Sequence, residues 1–195
     1  WCLRSLPASA RRTPRHRSHL GLTGDDQTLH RARFGAERDC MRIQRESGQI
    51  KAARKTDSQR RDFASAFIWP ITGPVTGVFG SRRVYNGVPG RPHYGVDVAR
   101  PTGSTVVAPA AGVVLLVQRD NFYSGGTLIV DHGFGISSTF IHLSKVLVKK
   151  GDVIEQGQAI AEVGATGRAT GPHLDWRMNW FDVKLDPQLI VPAMP

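Results

Sequence analysis

From Phe63 onward, short runs of apolar and β-branched residues alternate with Gly, Pro, Asp and Asn. Runs of this length between turn-forming residues are typical of β-strands. No stretch in this part shows helical periodicity over more than two turns. The pattern therefore predicts an all-β sheet domain. Its strands are expected near Val75–Phe79, Val113–Val117, Thr127–Val130, Ile136–Ile141, Ala159–Val163 and Leu174–Met178.

The chain before Phe63 has a different composition. Residues 1–62 carry 15 Lys and Arg against 7 Asp and Glu, a net charge of +8, whereas residues 63–195 carry 11 against 9, a net of +2. Residues 1–24 are rich in Arg, Ser and Pro and are expected to be disordered. Residues 27–62 are expected to form a short strand and a helix. We therefore predict a basic, largely disordered or weakly structured segment at 1–62 and a folded domain at 63–195.

Charge and cysteine content narrow the function classes. The net charge of +10 alone would suggest an anionic partner. However, the arginine cluster at 11–17 lacks interleaved aromatic residues, so nucleic-acid binding is not expected. Two cysteines make neither a disulfide framework nor a CxxC pair. The sequence contains no run of 18 apolar residues, so no membrane-spanning helix is expected. No export signal is visible either, and such a signal would have been removed or lie outside this sequence.

Two segments resemble the half-repeats of biotinyl and lipoyl carrier domains, namely Thr105–Val114 and Val148–Val163. A carrier needs a lysine at a hairpin tip, usually flanked by Met. Lys149 and Lys150 instead precede a Gly-Asp turn. The similarity therefore indicates hammerhead-like hairpins and not a carrier function.

The β part contains one His–Asp pair with metal-ligand chemistry. His93 and Asp97 are four residues apart in a loop that enters a strand, so both side chains can converge on one point. Imidazole nitrogen and carboxylate oxygen both bind zinc at about 2.0–2.2 Å. A His–Asp hydrogen bond without metal explains this pair equally well.

A second group lies in the motif G-P-H-L-D-W-R-M. Successive strand residues face opposite sides, so His173 and Asp175 share one face while Leu174 and Trp176 point into the core. This face suits a metal site at the edge of a turn, or simply an exposed polar surface. His142 lies at the end of a strand. It is either a functional residue of this site or a buried histidine with a structural role.

Several motifs between about Phe67 and Val191 closely resemble those of the LytM/lysostaphin-type zinc metallopeptidases, and they occur in the same order as in that family. They include W-P-I-T-G-P-V-T-G-V-F-G, P-H-Y-G-V-D-V-A, V-D-H-G-F-G, I-H-L-S and G-A-T-G-R-A-T-G-P-H-L. The resemblance implies a mostly antiparallel β domain with a groove lined by a zinc site. It also implies hydrolysis of peptide bonds in the stem peptides or cross-bridges of peptidoglycan, in the periplasm or cell envelope.

The resemblance also assigns roles to individual residues. His93 and Asp97 match the family's HxxxD pair, which supplies two zinc ligands. His142 and His173 match two catalytic histidines beside the metal, which act on the attacking water, the oxyanion or the leaving amine. Asp175 stands where the family has a histidine as third zinc ligand. His132 matches a frequent family position, for which we expect a supporting role only.

Asp175 is the departure from the family pattern. An Asp oxygen lies about as far from its backbone as the Nδ1 of a histidine, so the ligand geometry can survive. One His and two Asp are formally neutral with zinc, against +1 for two His and one Asp, and oxygen ligands also suit manganese. The alternative function is a catalytically inactive regulator that activates other wall hydrolases, and such envelope proteins are the partners it implies.

Overall fold

The structure is a computed structural model that describes residues 24–194, apart from Arg83 and Asn86. Side chains are described from Gly35 onward, apart from those at 83–86, 88 and 89. The predicted disorder of the first residues and the arginine cluster at 11–17 therefore lie outside the described residues. The chain divides into two compact units, with the division between Ser47 and Gly48.

Among the described residues, one α-helix, α1, spans Gly24–Arg54. Its last turn contains Lys51 and Arg54, whose positive charges complement the carbonyl end of the helix. The helix expected within 27–62 is therefore present, but it is longer than expected, and the described residues of this range contain no strand. Residues 56–61 lack regular structure, and one 3₁₀ turn follows at Asp62–Ala64. The predicted domain boundary near Phe63 stays a prediction.

Among the described residues, no helix is both long enough and apolar enough to cross a membrane. The helix α1 has 31 residues, but charged and polar residues occur in every turn, so it is not apolar enough.

The remaining chain forms strands, as the alternation of apolar and polar residues predicts. The described strands are β1 (Val75–Gly77), β2 (Val84–Tyr85), β3 (Val88–Pro89), β4 (Val96–Ala99), β5 (Thr105–Val107), β6 (Gly112–Asn121), β7 (Gly125–Gly133), β8 (Ile136–Leu143), β9 (Lys145–Val146), β10 (Val153–Ile154), β11 (Ala159–Glu162), β12 (His173–Trp180) and β13 (Val183–Leu185). All six predicted strand segments overlap one of these strands.

Eight strands form the main sheet in the order β1-β4-β12-β8-β7-β6-β10, with β13 paired to β12. Every pairing in it is antiparallel. A three-stranded sheet, β5-β11-β9, and the β2–β3 hairpin complete the described strands. The prediction of a mostly β, antiparallel domain is therefore confirmed.

The two faces of the main sheet differ in chemistry. On one face, apolar side chains of the central strands are fully buried, including Val96, Val98, Phe140, Leu174 and Trp176. Because successive strand residues alternate in direction, the residues between them point to the opposite face. The pairing of β4 with β12 places Asp97 directly across from Asp175 on that face.

Candidate metal centre and flanking histidines

The loop before β4 holds His93 through its backbone. Its N–H donates to the Ser81 carbonyl at 2.8 Å, and its carbonyl accepts from Gly80 N–H at 2.8 Å. His93 Nε2 lies 3.0 Å from Asp97 Oδ1. Nevertheless, both atoms are buried without a hydrogen bond of acceptable geometry. Two buried, orphaned ligand atoms facing each other are costly in a protein interior, and a shared cation would satisfy both.

Strand β1 passes close to the side chain of Asp97. A Cβ atom on Gly77 would lie 2.4 Å from Asp97 Oδ2, so only glycine fits there without displacing the carboxylate. Burial alone would raise the pKa of Asp97. The interaction with His93, together with charge interactions with His173 and Arg177, outweighs burial, so the pKa of Asp97 lies below its usual value. The carboxylate is therefore ionised at neutral pH and available as a ligand.

Asp175 is brought next to this pair but is not orphaned. Its carboxylate accepts from Arg177 Nε at 2.9 Å to Oδ1 and 3.2 Å to Oδ2, and from Arg177 Nη2 at 2.6 Å to Oδ2. A Cβ atom on Gly95 would lie 2.4 Å from Asp175 Oδ1, so Gly95 leaves the space that this carboxylate fills.

Burial alone would lower the pKa of Arg177, but the charge and hydrogen bonds of Asp175 outweigh it and hold that pKa above its usual value. Sequence reasoning missed Arg177. The signal that could have found it is the two-residue period of the strand, which places Arg177 on the same face as Asp175.

The ligand atoms of His93, Asp97 and Asp175 all lie within 4.8 Å of one another. Atoms that bind one tetrahedral zinc at about 2.0–2.2 Å are roughly 3.3–3.6 Å apart. The three predicted ligands thus converge, and a shift of at most about 1.5 Å at the widest pair would bring them to metal-binding separations. Together with the two orphaned atoms, this donor set fits a divalent metal.

His142 adopts an uncommon backbone conformation. Its φ is 64°, in the left-handed region that residues other than glycine seldom occupy. Two hydrogen bonds hold it there, from its N–H to the Ser124 carbonyl and from its ring Nδ1 to the Thr166 carbonyl, both at 2.8 Å. Burial lowers the pKa of His142 more than its hydrogen bond to Thr166 and the charge of Asp175 raise it. The ring is therefore neutral at neutral pH, with its basic nitrogen at Nε2.

The loop that carries Thr166 is fixed independently. Thr166 Oγ1 accepts from Gly126 N–H and donates to the Leu143 carbonyl, both at 2.8 Å. Gly125, at φ 59°, permits this contact, since a Cβ atom there would lie 2.1 Å from Thr166 Oγ1. The carbonyl that orients the His142 ring is therefore itself anchored to β7 and β8.

His173 is oriented in the same way, because its Nδ1 donates to the Gly171 carbonyl at 2.8 Å. Its Nε2 lies 3.9 Å from Asp97 Oδ1. The rings of His142 and His173 are adjacent, with centroids 4.8 Å apart and planes inclined by 51°. The structure thus brings both predicted catalytic histidines beside the three predicted ligands. These five residues line one groove of about 780 Å³, which also contains Tyr94, Arg168 and Thr170.

His132 lies on β7, is fully buried and does not line this groove. Its Nδ1 is 2.7 Å from the Ala111 carbonyl and its Nε2 is 2.9 Å from Ser138 Oγ, which also accepts from Trp176 Nε1 at 3.3 Å. Burial lowers the pKa of His132. Its contacts tie the loop before β6 to β8 and β12, which agrees with the supporting role expected for it.

The three metal-type ligands and the two oriented histidines lie within a stretch of chain that matches a known peptidase family. The sequence profile of Peptidase family M23 matches residues 91–187, a range that contains all five residues. The chain belongs to this family, and the resemblance to LytM/lysostaphin-type peptidases is confirmed.

Relatives and solved structures agree with this assignment. The chain is 42% identical to the peptidoglycan DD-endopeptidase ShyB of Vibrio cholerae over 63% of its own length and 26% of ShyB. An M23 peptidase structure from Pseudomonas aeruginosa has a TM-score of 0.70 at 39% identity, covering 78% of this chain and 62% of the other. A zinc-containing peptidase from Vibrio cholerae has a TM-score of 0.60 at 33% identity, covering 67% and 41%. The chain spans roughly a fifth to a quarter of the length of its first curated relatives.

Proposed function

We propose that this chain is a zinc-dependent endopeptidase that hydrolyses peptide bonds in the stem peptides or cross-bridges of bacterial peptidoglycan. The observation that carries the proposal is the pair of buried, orphaned ligand atoms on His93 and Asp97, with Asp175 in reach and two oriented histidines beside them. The similarity to peptidases that are named peptidoglycan DD-endopeptidases supports the substrate class. This substrate implies a location in the periplasm or elsewhere in the cell envelope.

In the proposed reaction, His93, Asp97 and Asp175 would hold the zinc. The bound metal would supply Lewis acidity at the scissile carbonyl and lower the pKa of the attacking water. The protein's own contribution is to fix where protons are taken up and released.

His142 and His173 are suited to proton transfer because each ring donates its Nδ1–H to a backbone carbonyl. That hydrogen bond selects the tautomer in which the Nε2 lone pair is free. One Nε2 accepts a proton from the attacking water, and a protonated imidazole donates to the leaving amine. The lowered pKa of His142 keeps it able to accept a proton at neutral pH.

The test compares variants of two histidines that have different proposed roles. Purified protein is measured for zinc content and for digestion of cross-linked peptidoglycan, before and after chelation of the metal. We expect His93→Ala to lose metal and activity together. In contrast, His142→Ala should keep its metal and lose about 10²–10⁴ in rate, the usual contribution of a general acid–base group.

Two outcomes would contradict the proposal. His142→Ala with nearly full activity would exclude its role in proton transfer. Wild-type protein that binds no zinc at micromolar concentration and digests no peptidoglycan would favour the inactive regulator instead. That alternative rests on Asp175 alone, because the other four predicted site residues match the peptidase pattern.

A further inference from the structure

The Asp175–Arg177 pair changes the charge of the candidate metal centre. With neutral histidines, the two carboxylates of Asp97 and Asp175 and the guanidinium of Arg177 sum to a single negative charge. A divalent metal would then give the centre a net charge of +1. That is the value for a centre of two histidines and one aspartate, whereas the sequence alone suggested a neutral centre.

The contact between Asp175 and Arg177 is close enough for this charge balance to matter. Arg177 reaches both carboxylate oxygens, at 2.6 to 3.2 Å. The Asp175 side chain is 3% exposed and that of Arg177 is 33% exposed, so water screens the pair less than at an open surface. The two side chains project from one face of β12, which fixes their relative position.

The same contact bears on metal binding. An ionised carboxylate has about four lone-pair positions on its two oxygens, so Asp175 can accept from Arg177 and bind a cation at once. Because Arg177 contacts both oxygens, any metal on Asp175 shares an oxygen with the guanidinium. The two positive charges then repel each other across a short distance in a partly buried site.

We propose that Arg177 is a positioning and charge-balancing partner of Asp175, which makes this carboxylate act as a substitute for a neutral histidine ligand and lowers the affinity of the site for zinc. The inference rests on the proposed metal site. It assigns no contact with substrate to Arg177.

A second cation lies near this pair. Arg54 donates from Nη2 to Thr139 Oγ1 at 3.0 Å, and Thr139 is the register partner of Arg177 in β8. Arg54 Nε is buried without a partner. Because this guanidinium is part of the same electrostatic environment, the test must vary Arg177 while leaving Arg54 in place.

The experiment measures zinc affinity by competition with a chromophoric chelator, using the full chain. We expect Arg177→Gln to bind zinc on the order of tenfold more tightly or better, because it removes one nearby positive charge. Arg177→Lys keeps the charge but loses the planar fork, and should remain within about threefold of wild type if charge dominates. Arg168→Gln is the matched control, since Arg168 lines the same groove and stacks on Tyr123 at 5.1 Å.

Circular dichroism and thermal unfolding identify any variant that fails to fold. Arg177→Lys and Arg177→Gln give two independent measurements of how Arg177 affects zinc affinity. Zinc affinity of Arg177→Gln equal to or weaker than that of wild type would overturn the inference. The same holds if Arg168→Gln tightens binding as much as Arg177→Gln does. If neither wild type, Arg177→Gln nor Asp175→His binds zinc, the proposed function fails. Zinc binding by wild type with no difference in Arg177→Gln rejects only the role of Arg177.

Discussion

The left-handed conformation of His142 makes a sharp stability prediction. At φ 64° a residue with a Cβ is strained by about 1–2 kcal/mol relative to glycine. His142→Ala and His142→Gly both remove the imidazole and its hydrogen bond to Thr166. The two variants therefore differ mainly in backbone strain and in the conformational freedom of the unfolded chain.

Worked from these two effects, the glycine variant should be the more stable. Glycine relieves about 1–2 kcal/mol of strain and loses about 0.4–1 kcal/mol through greater freedom when unfolded. The difference leaves a preference of roughly 0.5–1 kcal/mol for His142→Gly over His142→Ala. At about 2–4 °C per kcal/mol for a domain of this size, thermal unfolding should show a gap of roughly 1–4 °C.

Ser137 provides the matched control, because it lies in the same strand with an ordinary backbone conformation. At Ser137 the order of stability should reverse, with Ser137→Gly about 0.5–1 kcal/mol less stable than Ser137→Ala. Urea unfolding monitored by tryptophan fluorescence gives both differences. If His142→Ala were at least as stable as His142→Gly, the strain at this position would be refuted.

Three other predictions follow from the structure. Asp175→Ala should lose zinc and peptidoglycan digestion together, and a variant that kept full zinc affinity would exclude Asp175 as a ligand. Burial, with nearby arginines, lowers the pKa of Lys184 to about 8 from 10.5. The folded state thus binds this proton less tightly, so stability should rise with pH between these values, and Lys184→Gln should remove that rise in urea unfolding. Deleting residues 1–47 or 1–60 should leave a folded, metal-binding domain, but only the longer deletion removes the contacts of Ser58 with Asp131 and Phe134 and should lower the melting temperature further.

Much of the sheet and the clustering of the site residues followed from short-range patterns. The two-residue period placed His173 and Asp175 on one face, and the His93–Asp97 spacing placed two ligand-type atoms 3.0 Å apart. These patterns depend only on neighbours in sequence, which is why they can be read without a structure. The same period also placed Arg177 on the site face, but the prediction stopped at residues with metal-ligand chemistry.

Other features depend on contacts that are distant in sequence. The φ of His142 is set by carbonyls of Ser124 and Thr166, which lie on separate loops. The length of α1 was missed because its apolar residues are few and scattered, so helical periodicity is weak. A helix rich in charged residues gives little hydrophobic signal even when it is continuous.

Asp175 and Arg177 are better understood as one unit than as two independent residues. Aspartate in a position occupied by histidine adds a negative charge to a buried centre, and a buried charge is costly unless it is paired. Arg177 pairs it from the same strand face at 2.6 to 3.2 Å. In the proposed centre, the pair thereby keeps the overall charge that a histidine would give, and Asp175 still offers an oxygen to the metal. On this view Asp175 does not by itself mark a lost active site, because the charge that would distinguish it from histidine is cancelled two residues away.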